Sequence, residues 1–414
     1  MSSSLGATLA ADVVFVSKFV TDAERTPILM DQAHSLEGVK WDQGANKVTD
    51  KGLQTVKNEA YAFKARYVGS LLPKKYEPLS IYLRAQYESV PISDAYAFMM
   101  SLYPDTADGL DLMKGYQAID TSNLPITSQE LNGLRARLGL GLPTTEKQNV
   151  DLYPGNPDLL FVHAVSKNFP EWDTTIKQMR KSALDEFQGQ YPNFINDLKR
   201  SLKKENDDAL TLGNALFYLD YYNMAISNGQ TPTRASITGD LERQEKAYYR
   251  AFFDKGFLGK NSYNRVLANA YLKHIVEMIN LKKQDLTENN LSDKRIHEMK
   301  ASLDFGSKLT WLTIIKVLGG SVDDWGYSFG DTINWELLRD GKSFSVKTTI
   351  NETPFDLTSE SKGGILNLDK WNEYLISRMY YGSITDLQKD SGAENPDNHI
   401  IRDTSDSETA WQWW

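Results

Sequence analysis

The sequence predicts an α/β protein, a mixed central sheet flanked by helices with a mostly helical insertion in the middle. Three observations carry that reading. Residues 12–17 (Asp-Val-Val-Phe-Val-Ser) form an apolar, β-branched run of the length of a short buried strand. Leu53, Val56, Ala60, Phe63 and Tyr67 recur at helical spacing, as do Leu267, Tyr271, Ile275 and Met278. Ile333, Trp335 and Leu337 alternate up to Asp340-Gly341, and Phe344, Val346 and Thr348 resume the alternation beyond it. Strands interleaved with amphipathic helices make an α/β core.

In chain order, Thr49 is the expected N-cap of the first helix. Leu79 to Leu83 is expected as a second strand. A helix over Ser93 to Leu102 stops at Pro104. From about Ser128 to Lys255 the chain is aromatic and charged with few β-branched runs, except at Asp158 to His163, where strand character returns. Phe217 to Tyr222 is expected as helical packing surface. Helices follow over Asn261 to Asn280 and Lys308 to Leu318, the latter stopped by Gly319-Gly320. The Asp340-Gly341 pair predicts a type I′ turn, and a helix is expected over Leu368 to Arg378. Residues from about Gln388 to Thr409 have the composition of a polar tail, which ends Trp411-Gln412-Trp413-Trp414.

Composition narrows the function. The chain has 414 residues with 46 Lys plus Arg against 55 Asp plus Glu, a net charge of −9. No basic excess exists to displace counterions from a nucleic acid. Cysteine is absent, which removes thiolate metal sites and thiol nucleophiles and fits a reducing compartment or one where bridges are not needed. No run of eighteen apolar residues occurs, so no transmembrane segment is expected. The Met1 to Asp12 stretch lacks a basic n-region, and the expectation is an intracellular protein, mitochondrial or cytoplasmic/ciliary. The five histidines, His34, His163, His274, His297 and His399, show no metal-ligand spacing, and no metal or cofactor is expected. There is no Walker loop, no dinucleotide-binding glycine run and no nucleophile elbow.

Several motifs occur in a telling order. Val14-Phe-Val-Ser-Lys-Phe-Val-Thr-Asp-Ala-Glu-Arg-Thr-Pro27 leads the chain. Trp41-Asp42-Gln43-Gly44 follows, then Val48-Thr49 and Gly52, then Tyr82-Leu83-Arg84 and Leu102-Tyr103-Pro104. Pro154 to His163, Gly306 to Gly319, and Asn334-Trp335-Glu336-Leu337 before Asp340-Gly341 complete the series. Over roughly residues 12–385 this order resembles the histidine acid phosphatases. The resemblance implies the phosphoglycerate mutase-like histidine phosphatase fold. It further implies a discontinuous core at 12–127 and 256–386, a helical cap at 128–255, and the tail at 387–414.

The resemblance also implies which positions should be catalytic, and these are substituted. The family carries Arg-His-Gly-x-Arg-x-Pro after its first strand. Aligned from the strand, Lys18 takes the first Arg, Phe19 the nucleophilic His and Val20 the Gly, with about three extra residues before Arg25-Thr26-Pro27. Val90 takes a phosphate-gripping Arg, Ser307 the second His, and Lys308 the proton-donor Asp. A benzyl group has no lone pair with which to attack phosphorus. Phosphomonoester hydrolysis needs acceleration of up to about 10²¹-fold, beyond what residual binding supplies. The chain is therefore expected to be a pseudoenzyme, a noncatalytic accessory subunit of a larger assembly such as a mitochondrial membrane complex. Other protein subunits are the expected partners, with Trp411, Trp413 and Trp414 as an anchor. Two alternatives stand beside this. Lys18, Arg25 and Lys308 could bind phosphate or an inositol phosphate in the remnant cleft, or the chain could be a weak acid phosphatase.

Overall fold

The computed structural model describes residues 11–86, 88–105, 110–112, 128–140, 150–154, 170–233, 235–259, 261–288, 294–320 and 328–379. The first strand, β1 (Asp12–Thr21), runs four residues past the expected run. Helix α1 (Asp50–Tyr67) starts as expected, with the Thr49 hydroxyl accepting the Gly52 N–H. Strand β2 (Ile81–Ala85) and the wholly buried helix α2 (Ser89–Leu102) follow. Two short strands, β3 (Leu110–Leu112) and β4 (Val150–Pro154), were not expected and flank helix α3 (Ser128–Arg137).

The helical part of the middle third comprises α4 (Pro170–Gln190), α5 (Phe194–Leu202), α6 (Ala215–Ser227) and α7 (Asp240–Tyr249). The last of these continues as a π-helical turn at Arg250–Lys255. Then come α8 (Asn261–Glu288), α9 (Lys294–Glu298), β5 (Ala301–Gly306) and α10 (Lys308–Val317). Strands β6 (Thr332–Asp340), β7 (Ser343–Ile350), β8 (Thr353–Pro354) and β9 (Ile365–Asn367) lead into α11 (Leu368–Arg378).

Among the described residues these strands form one mixed sheet in the order β3-β4-β2-β5-β1-β6-β7-β8, with β9 on β7. The run from β3 to β1 is parallel, and β6 onward is antiparallel. Alternation along the strands sorts side chains to the two faces. Val16, Val20, Leu83, Leu303 and Phe305 pack under α1 and α2. Phe15, Phe19, Ile333, Trp335 and Leu337 join Tyr271 of α8, Trp311 of α10 and Trp371 of α11 on the other face. Aromatic residues of α4 to α7 extend this second cluster, Tyr218 and Tyr221 among them. The expectation of packing surface at 217–222 is met by Tyr218, Leu219 and Tyr221, all buried.

Two expectations need correction, and others fall outside the described residues. β4 lies inside the 128–255 span assigned to the cap, yet it pairs with β2 in the central sheet, so among the described residues the all-helical stretch begins at Pro170. The hairpin turn is Gly341-Lys342. Asp340 is still paired, with Ser343, and of the two turn residues only Gly341 has positive φ (59°). A turn with both central residues at positive φ occurs one loop later, at Asn351 (49°) and Glu352 (61°), between the paired residues Ile350 and Thr353. The strand expected at 158–163 with His163, and the Trp-bearing tail, lie outside the described residues.

Candidate functional site at the carboxyl edge of the sheet

In open parallel sheets the carboxyl ends of the strands face the crevice where ligands bind. Here β1 and β5 end side by side, Thr21 opposite Gly306, and their continuations build the site. Thr21 and Asp331 fix the end of β1 by exchanging two bonds: Thr21 N–H to the Asp331 carbonyl, and Asp331 N–H to Thr21 Oγ1, both at 2.9 Å. Asp22 is therefore the first residue beyond the strand.

The loop after Asp22 is clamped from two sides. The Ala23 N–H donates to Asp94 Oδ2 of α2 at 3.0 Å. The Glu24 carbonyl accepts both the N–H and the hydroxyl of Thr49, each at 3.0 Å. That carbonyl lies so close to Gly52 that a Cβ there would sit 2.0 Å from it, which is why this turn of α1 carries a glycine. From the other side, Arg25 Nη2 and Nη1 donate to Asp220 Oδ1 and Oδ2 of α6 at 2.8 and 3.3 Å. The Ile28 N–H reaches the same carboxylate at 2.8 Å.

The β5 side supplies a helix N-terminus. Ser307 caps α10, its hydroxyl accepting the Thr310 N–H, while its own N–H donates to Gln86 Oε1 at 2.9 Å. Gln86 Nε2 in turn donates to Glu88 at 2.6 Å. Lys308, the first residue of α10, donates to the Asp331 carboxylate and to the Ser328 carbonyl at 3.2 Å, above the ring of Trp311. Burial pushes the Asp22 carboxyl up to about 7. The neighbouring Glu88 adds to the rise, and Arg25, the Lys308 backbone N–H and the Lys308 ammonium oppose it. Burial likewise raises Glu88 to about 7, against the Gln86 hydrogen bond and Arg25. A carboxyl titrating near neutrality can exchange a proton at neutral pH.

The geometry brings Arg25, Ser307 and Lys308 to one edge and corrects the placing of Phe19 and Lys18. Residues 18–21 continue β1 as far as Thr21. Phe19 thus stays inside the strand, fully buried, paired with Asp304 and Ile333, its ring edge-on to Tyr271 at 5.4 Å. Lys18 points to the opposite face, where it pairs with Glu59 and with Glu352 at 3.3 Å. Its ammonium is held by those two carboxylates, while Arg25 bonds Asp220 and Lys308 bonds Asp331. Val90 is buried in the first turn of α2. The residue at the strand end is Asp22, which the sequence reading missed. Counting back from Arg25-Thr26-Pro27 along Arg-His-Gly-x-Arg-x-Pro places the family's His at Asp22, and that count was the available signal.

None of the three described histidines contacts Asp22, Arg25 or Lys308. His34 bonds Asp31 at 2.5 Å and lies on Tyr218, and His297 bonds Asp285 at 3.0 Å. His274 lies near Tyr82, and burial and Arg84 pull its imidazole down to about 3. Among the described residues no group of three or more His, Cys, Asp or Glu is disposed to hold a metal ion. No described helix is long and apolar enough to cross a membrane.

No family model matches the chain, and no curated protein matches it in sequence. Its structure is similar to the phytase from Citrobacter braakii, with TM-score 0.58 at 11% identity over 89% of this chain and 98% of that one. The phytase from D. castellii gives TM-score 0.58 at 12% identity over 95% and 84%. The Bifidobacterium longum multiple inositol polyphosphate phosphatase, solved with inositol hexasulfate, gives 0.53 at 13% over 92% and 96%. With a mixed sheet flanked by helices and matched along nearly its whole length by these enzymes, the chain carries the phytase-like histidine phosphatase fold.

Proposed function

We propose that this chain is a noncatalytic relative of the histidine acid phosphatases, acting as an accessory subunit through binding rather than turnover. The observation that carries the proposal is that internal carboxylates occupy the cationic features of the crevice. Asp220 takes Arg25 in a two-bonded pair, and Asp22 lies at the N-terminus of α10, where the helix dipole favours an anion. Lys308, in the expected position of a proton-donating carboxyl, is bonded to Asp331. An incoming phosphate would have to displace two protein carboxylates and would meet no imidazole at either expected position.

The test is phosphate release by the purified chain from p-nitrophenyl phosphate and inositol hexakisphosphate. The expected result is no release above buffer. Turnover that disappears in Asp22→Asn would overturn the noncatalytic reading and make Asp22 the reactive group. Native mass spectrometry of the chain taken from its own source tests the accessory role, with a mitochondrial membrane complex as the first assembly to look for. Recovery of the chain alone under gentle extraction sinks that part.

A further inference from the structure

A cavity of about 650 Å³ opens between α6, α7 and α10, of a size that takes a small organic molecule. Its walls are apolar and aromatic: Tyr222 and Ile226 from α6, Tyr249 and Phe253 from α7 and its π-helical turn, Leu312 from α10, and Phe329. Charges at this cavity are unevenly placed. Lys246 and Glu242 are exposed and pair with each other at 3.0 Å, and Arg250 is also exposed. Glu245 is different, a carboxylate only 8% exposed. Asn223 donates to it at 2.7 Å, and the Tyr249 hydroxyl also bonds it. Both donors are neutral, and the charges acting on the carboxylate are Glu242, which raises its pKa, and the exposed Lys246, which lowers it through space.

A buried carboxylate among tyrosine and phenylalanine rings has the chemistry of an organic-cation site. The carboxylate supplies the counter-charge, the ring faces attract a cation through their quadrupoles, and the apolar walls take the body of the molecule. A polyphosphate brings no cation to Glu245 and no apolar body to these walls. We propose that this cavity binds a small aryl- or alkylammonium compound, its ammonium on Glu245 and its apolar body against Tyr222, Phe253 and Leu312. The inference does not depend on whether the carboxyl edge of the sheet is catalytic. Burial holds the Glu245 carboxyl above its ordinary range, so cation affinity declines on acidification as that group takes up a proton.

The probe pair is phenethylammonium and 2-phenylethanol, nearly isosteric and differing in charge, titrated by calorimetry into the full chain at pH 7.5. The ammonium is expected to bind at least about tenfold more tightly than the alcohol, a difference of about 1.4 kcal/mol. In Glu245→Gln, whose amide oxygen still accepts from Asn223, that difference should collapse. Leu312→Trp, which fills the cavity from a different wall, should abolish both signals, so the assignment does not rest on one variant. Inositol hexakisphosphate should leave the titration unchanged. Equal binding of the two probes, no binding at millimolar concentration, or survival of the preference in Glu245→Gln would overturn the proposal. Tighter binding of N-acetyl-lysine methylamide than of phenethylammonium would overturn the small-molecule assignment in favour of a partner's lysine side chain.

Discussion

Arg25 in the loop after β1 and Asp220 on α6 are bound side by side through two hydrogen bonds, and the same carboxylate holds the Ile28 N–H. This pair joins the helical region to the carboxyl edge of the sheet and puts a protein carboxylate on the guanidinium that an anion would otherwise meet.

Asp220→Asn should therefore have two opposite effects. Removing one partner of a buried pair costs about 3–5 kcal/mol, which a chemical denaturation midpoint will report. The variant should also gain stabilisation by inorganic phosphate, following RT ln(1 + [L]/Kd), while the wild type shows none at millimolar phosphate. A phosphate-dependent shift in the wild type would mean that Asp220 does not block the site.

Asp22 gives a pH signature. Its folded pKa of about 7 lies above the ordinary carboxylate value of 3.8, so between these values the folded state binds more protons than the unfolded one. Stability from this group is fully present near pH 4 and falls as pH rises through about 7. Asp22→Asn removes that loss and leaves Arg25 on Asp220 and Lys308 on Asp331. The variant should match the wild type near pH 4 and gain on it up to about pH 7, by at most ~4 kcal/mol. A gap that widens toward acid pH would contradict the burial of Asp22.

Lys18 is buried beneath α1, bonded to Glu59 and Glu352. Arg66 also reaches Glu352 (3.0 Å) and Glu336, and the Tyr67 hydroxyl donates to Glu336 at 2.5 Å. Lys18→Met should cost about 3 kcal/mol by leaving Glu59 without its cation, and Lys18→Met with Glu59→Leu should recover most of it. Urea midpoints of the two singles and the double decide. Simple additivity would show that Lys18 and Glu59 are not coupled.

Gly52→Ala tests the clamp on the loop. In an open helix position alanine would stabilise by about 1 kcal/mol. Here its methyl would meet the Glu24 carbonyl, so the expected change is a loss of about 2–3 kcal/mol, measured by thermal unfolding. A gain would mean that the loop gives way freely.

The sequence made local features legible and left long-range ones hidden. Leu368 to Arg378 is a helix over the expected residues, and Thr49 caps α1 as expected, because both depend on neighbours within one turn. The 340s turn was misplaced by one residue because Asp340 keeps its pairing with Ser343, which turn chemistry alone does not reveal. Strands β3 and β4, Leu-Asp-Leu and Val-Asp-Leu-Tyr-Pro, are too short for their alternation to stand out. At the site, Lys308 and Arg25 were legible as charges. Their partners were not, since Asp220 is 195 residues from Arg25 and only tertiary packing joins them.

The place of Phe19 within β1 decides what a histidine substituted there could reach. Strands show alternate residues to opposite faces, so Phe19 faces the side of the sheet opposite to Lys18. An imidazole grafted at Phe19 would be entombed against Tyr271. One installed at Asp22 would still find Arg25 engaged by Asp220 and Lys308 engaged by Asp331. Freeing those cations takes further replacements at Asp220 and Asp331.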